Sequence, residues 1–169
     1  MADISAAAVK ELREKTGAGV MECRRALEEA GGNQAQAMEV LRRQGLAQAE
    51  KRSGRGASQG LVDQYIHGGG RIGVLVEINC ETDFVARNDE FKELTHAVAM
   101  QIAATNPKYL SAEDIPAGSE EDPKEVALLS QPYIREPKYT IGDMVTQVGA
   151  KFKENVKVRR FSRFELGAE

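Results

Sequence analysis

At Gly60 the spacing of apolar residues changes from helical to alternating, and no all-helical fold accommodates the residues beyond it. Ile72, Val74, Val76 and Ile78 occupy every second position. Side chains of a strand point alternately to opposite faces, so this run predicts a strand with one buried face. An earlier run over 61–67 is separated from it by Gly68-Gly69-Gly70, and two such runs around a glycine turn predict an antiparallel hairpin. The triple glycine is not a phosphate loop, because neither Gly-Lys-Ser/Thr nor a helix start comes after it.

Upstream the period is helical. Residues 5–15 carry Ala8, Val9 and Leu12 on one face, and Gly17 can end that helix in a left-handed conformation. A second helix over 20–30 buries Cys23, Ala26 and Leu27 and stops at Gly31-Gly32. Asn33 then caps a third, with apolar face Ala37, Val40 and Leu41, which frays at Gly45. Residues 1–47 thus read as a three-helix head, and 48–59, rich in Gly, Ser and basic residues, as a flexible basic linker. Lys51, Arg52 and Arg55 are either phosphate contacts or plain solvated charges. Val20 and Met21 stand at the first turn of helix two, where polar caps are usual. They either pack inward or form an apolar lip for a partner, a role that suits an adaptable methionine.

The segment 79–87 links the second strand to a helix capped by Asn88 or Asp89 and running to about Thr105, with Phe91, Leu94, Val98 and Ile102 buried. A connection is ordinarily polar, yet Phe84 and Val85 sit here beside Thr82 and Asp83. Either Phe84 folds back into the core while Asp83 caps the helix, or the segment is a contact tip. Residues 111–122 read as an exposed acidic loop and 124–129 as a short helical turn, while Pro132 and Pro137 keep the next stretch irregular. Thr140 and Asp143 cap a helix with Ile141, Met144, Val145, Val148 and Phe152 on one face. The chain closes in a strand over 155–166. Val156, Val158, Phe164 and Leu166 are expected on one side of it, Lys157, Arg159, Phe161 and Arg163 on the other, with a bulge near Arg160 and Ser162. The outward face with Phe161 and Arg163 is then a candidate protein interface. The fold class is α+β, with 60–169 forming the core.

Formal net charge of −3 argues against a general nucleic-acid binder, and no apolar run reaches membrane-spanning length. Met1-Ala2-Asp3-Ile4 opens without a leader pattern, and Cys23 and Cys80 have no metal-ligand spacing, so the expected setting is the reducing cytoplasm. His67 and His96 belong to no recognisable catalytic or metal motif. No catalytic residue, metal or cofactor is expected.

Three segments together resemble the bacterial elongation factor Ts family. They are residues 12–27 (Leu-Arg-Glu-Lys-Thr-Gly-Ala-Gly-Val-Met-Glu-Cys-Arg-Arg-Ala-Leu), residues 79–87 (Asn-Cys-Glu-Thr-Asp-Phe-Val-Ala-Arg), and residues 160–167 (Arg-Phe-Ser-Arg-Phe-Glu-Leu-Gly). The resemblance implies a UBA-like head and a guanine-nucleotide exchange factor acting on the GTPase domain of elongation factor Tu. It implies that Thr82, Asp83, Phe84 and Val85 dislodge the partner's Mg²⁺, with Phe84 as wedge, and that Arg13, Val20 and Met21 grip the same domain. Longer members carry a helical coiled-coil insertion, whose place is taken here by 119–130 alone. A short single-core form resembles members that dimerise to give a two-plus-two complex, and the outward face of the last strand, with Phe161 and Arg163, is the candidate dimer edge. Position 162, a cysteine in some of them, is Ser162 here, which excludes an intersubunit disulfide at that site.

Overall fold

The computed structural model describes residues 4–168; Met1-Ala2-Asp3, on which the expectation of no leader pattern rests, and the final Glu169 lie outside the described residues. The first three helices are α1 (Ala6–Thr16), α2 (Val20–Glu29) and α3 (Gln34–Arg52). Ser5 Oγ accepts from Ala8 N to start α1, and Gly17, at φ 68°, ends it. Their small core is Val9, Leu12, Cys23, Ala26, Leu27 and Ala37.

Helix α3 does not fray at Gly45. It continues to Arg52, so the segment expected as a flexible linker begins as helix and only residues 53–58 remain irregular. A glycine within a helix costs roughly 1 kcal/mol relative to alanine, and packing against a later helix, α7 (Ile141–Phe152), offsets it. Gly45 lies against Thr146 of α7, and Arg42 reaches Asp143 Oδ1 at 3.6 Å. Lys51 and Arg52 occupy the last turn of α3, where cations suit the helix dipole. Arg52 is buried there, so it is not a solvated tether charge.

Strands β1 (Gln59–His67) and β2 (Ile72–Cys80) form the expected hairpin, and β5 (Lys157–Glu165) pairs antiparallel with β2 to give the order β1-β2-β5. Helix α5 (Asp89–Thr105) is capped by Asn88, ended by Asn106, and buries Phe91, Leu94, Val98 and Ile102. It covers the sheet face bearing Val74, Val76 and Ile78, and Ile141, Val145 and Val148 of α7 join the same core. Between α5 and α7 lie a single-turn helix, α6 (Pro123–Val126), and a small hairpin, β3 (Pro132–Tyr133) with β4 (Glu136–Thr140). The stretch expected as irregular is thus ordered. Buried Gln101 pins it, donating to Gln131 Oε1 at 3.1 Å and accepting from Ile134 N at 3.0 Å.

The orientation expected for the last strand is overturned. Glu77 pairs with Arg160 and Ile78 with Val158, leaving Arg159 as an extra residue in β5. One inserted residue reverses every later side chain. Phe161 and Arg163 therefore stand opposite Val76 and Val74 on the core face, and Phe164 and Leu166 turn outward. Arg163 is 11% exposed at its side chain and its Nε donates to Ala103 O at 3.3 Å. Neither Phe161 nor Arg163 forms the outward face assigned to them.

Candidate partner-contact site

Strand β2 runs out at Cys80, and two residues later Thr82 caps the one-turn helix α4 (Asp83–Ala86). Thr82 Oγ1 accepts from Val85 N at 3.4 Å, and the Cys80 thiol donates to Thr82 O at 3.2 Å. Asn88 takes an extended backbone at φ −68° and ψ 139°, which stops α4 and begins α5. The capping expected of Asp83 therefore belongs to Thr82 and Asn88. Asp83 instead pairs with Arg87 at 3.0 Å along the same turn.

The turn divides its apolar residues. Val85 and Ala86 are buried and anchor α4 to the core, while Phe84 is 82% exposed. A Phe side chain left in water forgoes about 1.5–3 kcal/mol of burial. Its ring stands on a turn clamped from three sides: by β2, by the start of α5, and by Glu154, whose carboxylate accepts from Glu81 N, Thr82 N and Thr82 Oγ1. Thr82, Asp83 and Phe84 present their side chains at the surface; Val85 does not.

The second set of expected residues also lies at the surface. Glu22 Oε2 accepts from Gly19 N at 3.0 Å and begins α2, leaving Val20 at 52% and Met21 at 58% exposure. Both line a groove of about 880 Å³ between the head and α7, together with Arg13, Met38, Tyr139 and Lys151. The structure thus brings Arg13, Val20 and Met21 to one groove and places the 82–84 tip on a separate element.

A third surface was missed in the sequence. On the sheet face away from α5, Val62 and Ile66 of β1, Leu75 of β2 and Phe164 of β5 are all exposed, Phe164 at 70%. The signal was present in β1 and β2, where Val62, Ile66 and Leu75 are apolar but out of phase with the residues facing the core; Phe164 is in phase with Val158 and is turned outward only by the extra residue Arg159.

The two thiols are buried and unpaired. Burial, and then the negative charge of Glu154, push the Cys80 thiol from its ordinary 9.0 up to about 11. A thiol so held stays protonated at neutral pH and is a poor nucleophile. Below pH 9 folded and unfolded chains both keep this proton; between pH 9 and about 11 only the folded chain does. Stability must therefore fall across that window as the unfolded state loses its proton. Urea denaturation through this range is expected to show a steeper loss for the wild type than for Cys80→Ala, and parallel curves would contradict it. His67 and His96 flank Tyr65, and His96 Nδ1 lies 3.9 Å from Asp63 Oδ2. Among the described residues, no group of three or more His, Cys, Asp and Glu side chains could hold a metal ion, and no described helix is long and apolar enough to cross a membrane.

A family profile for Elongation factor TS matches residues 38–124. Elongation factor Ts of Carboxydothermus hydrogenoformans is 50% identical over 194 aligned residues, covering 97% of this chain and 89% of that protein. The chain belongs to the elongation factor Ts family. The Synechococcus elongatus Elongation factor Ts is 50% identical over 198 residues, covering 99% and 90%, and that of Thermoanaerobacter sp. is 49% identical over 194, covering 97% and 95%. These alignments are longer than the 169 residues of this elongation factor Ts member, so its relatives hold positions that it lacks. It is a short form. Where the sequence pointed to a shortened insertion, 119–130 contains only α6 and a 3₁₀ turn, with Ala127 and Leu128 buried.

Proposed function

We propose that this chain is a cytoplasmic guanine-nucleotide exchange factor that binds elongation factor Tu in its GDP form, loosens the Mg²⁺ bound there, and so speeds GDP release. The observation that carries this reading is Phe84, an aromatic side chain held in water on a clamped, single-turn mount. An apolar wedge of fixed position can enter a cleft of the GTPase domain with little ordering cost. Asp83 stands beside it to accept hydrogen bonds at the rim. The UBA-like head grips the same domain through Arg13, Val20 and Met21, the lip that its own core leaves uncovered.

The chemistry lies in the partner. A bound GDP depends on backbone amides, a lysine and Mg²⁺ across its phosphates. Displacing the elements that hold the ion removes the largest local positive charge. Linkage makes the effect mutual: this chain weakens GDP binding by the factor with which GDP weakens binding of this chain. No covalent step is required, so the chain acts without a catalytic group of its own. Its two working parts are the head, which supplies the grip, and the core, which supplies the wedge. The test is release of fluorescent GDP from elongation factor Tu on mixing with this protein.

A second copy of this chain covers the open sheet face, giving a two-plus-two assembly. Val62, Ile66, Leu75 and Phe164 form an apolar surface across all three strands, the kind that packs sheet on sheet. Phe164 and Leu75 replace Phe161 and Arg163 as the residues to change. Leu75→Glu with Phe164→Glu is expected to sediment as a monomer at micromolar concentration where the wild type sediments as a dimer. A monomeric wild type would sink this assembly.

A further inference from the structure

We infer that Glu154 is the positioning residue of the 82–84 tip, and that through its neighbours it couples the tip to the exit of the helical head. The functional part of this inference rests on the exchange reading above; the structural part does not.

A one-turn helix cannot hold itself in place, because nucleation fixes several residues for one or two hydrogen bonds. Helix α4 has few backbone bonds of its own: Ala86 N to Thr82 O at 3.3 Å, Arg87 N to Asp83 O at 3.0 Å and Asn88 N to Val85 O at 3.0 Å. Glu154 supplies what it lacks. Its Oε2 accepts from Glu81 N at 3.0 Å and Thr82 N at 3.1 Å, and its Oε1 accepts from Thr82 Oγ1 at 2.5 Å. All three donors come from the two residues between β2 and α4. With its proton donated to Glu154, the Thr82 hydroxyl turns its lone pairs toward Val85 N, so the cap of α4 depends on a carboxylate 72 residues away. Hydrogen bonds to an ionised acceptor are roughly twice as strong as neutral ones.

Glu154 is itself placed by backbone geometry. Lys153 ends α7 in the left-handed region at φ 58°, which turns the chain back toward β5. The contact is reciprocal: Asn155 N donates to Glu81 Oε1 at 2.6 Å. Asn155 is buried, and its Nδ2 donates to Ser53 O at 3.2 Å and Arg55 O at 2.8 Å. Arg55 closes the knot, donating to Glu81 Oε1 at 3.4 Å and Lys153 O at 3.3 Å. The segment leaving α3 and the tip are therefore held by adjacent residues of one turn. A partner that seats on the head lip meets the wedge at a set distance.

Glu154→Gln tests this. The amide oxygen can still accept from the two backbone N–H groups, but the NH₂ must then donate to the Thr82 hydroxyl, so the Thr82 bond is reversed and the charge that strengthened all three bonds is lost. Two readouts are taken on the full chain: GDP release as a function of protein concentration, and amide hydrogen exchange of residues 82–85. The limiting release rate is expected to fall about tenfold, since sub-ångström to ångström misplacement is costly in such steps. The half-saturating concentration should stay within about twofold, because the head lip is untouched. Exchange of the tip amides should speed up while Val74 and Val76 in β2 keep their protection. An unchanged limiting rate, or a lowered rate with unchanged tip protection, overturns the inference. If the wild type itself fails to speed GDP release, the exchange reading falls and tip protection alone decides the role of Glu154. If Glu154→Gln loses protection throughout the core, Thr82→Val removes the same hydroxyl link at constant shape; fully protected tip amides in that variant overturn the inference.

Discussion

Phe84→Ala is expected to abolish most of the acceleration of GDP release while leaving the protein as stable as the wild type. The two halves of this result have separate physical sources. With 82% of Phe84 exposed, its ring contributes little to the core, and exposed substitutions away from special backbone positions fall within about 0.5 kcal/mol. At an interface the same ring becomes an anchor, and truncating a central aromatic commonly costs about 2 kcal/mol or more, a factor of roughly thirty or greater. The loss should be largest in the limiting rate, since the head still binds. Full activity in a folded Phe84→Ala variant would remove the wedge from the account. A variant that lost stability as well would mean that the ring packs inward in solution.

Gly60→Ala should be the most damaging single-methyl change in the chain. Gly60 has φ 144°, a region essentially restricted to glycine, and pairs with Asn79 across the hairpin. A Cβ there would lie 2.0 Å from Ile78 O and 2.8 Å from Asn79 Cα. Both are backbone atoms in the central strand of the sheet, and neither can yield without breaking the β1–β2 ladder. Strain of about 1–3 kcal/mol from the backbone conformation adds to that overlap. Against a total stability of about 5–15 kcal/mol, urea denaturation should show a loss of roughly 3 kcal/mol or more. Gly54→Ala is the control, because a Cβ at Gly54 meets nothing within 4 Å. Equal stability of the two variants would show that β1 and β2 approach differently.

Much of this architecture was written in periodicity. Ile72, Val74, Val76 and Ile78 named the central strand, and Phe91, Leu94, Val98 and Ile102 named the helix above it, because each set faces one core. Asn88 and Thr140 were readable as caps, since their side chains satisfy backbone N–H groups a few residues away. What failed did so for tertiary reasons. The extension of α3 through Gly45 to Arg52 depends on α7, which lies about a hundred residues downstream and leaves no local trace. The interrupted pattern at Arg160 and Ser162 does mark a bulge, which lies at Arg159, but alternation carried straight through it puts Phe161 and Arg163 on the wrong side. At the candidate site, Phe84 stood out as an aromatic in a connection, but its exposure was undecidable from the sequence. Glu154 was invisible, because an acidic residue before a strand is ordinary until its three donors are seen.

The central claim is that this chain opens the nucleotide site of another protein. Stopped-flow release of fluorescent GDP from elongation factor Tu, recorded with increasing amounts of the wild-type chain, tests it most directly. The predicted release rate climbs with concentration and saturates, and excess free Mg²⁺ slows it. A rate that stays at its spontaneous value while the two proteins demonstrably bind would contradict the claim.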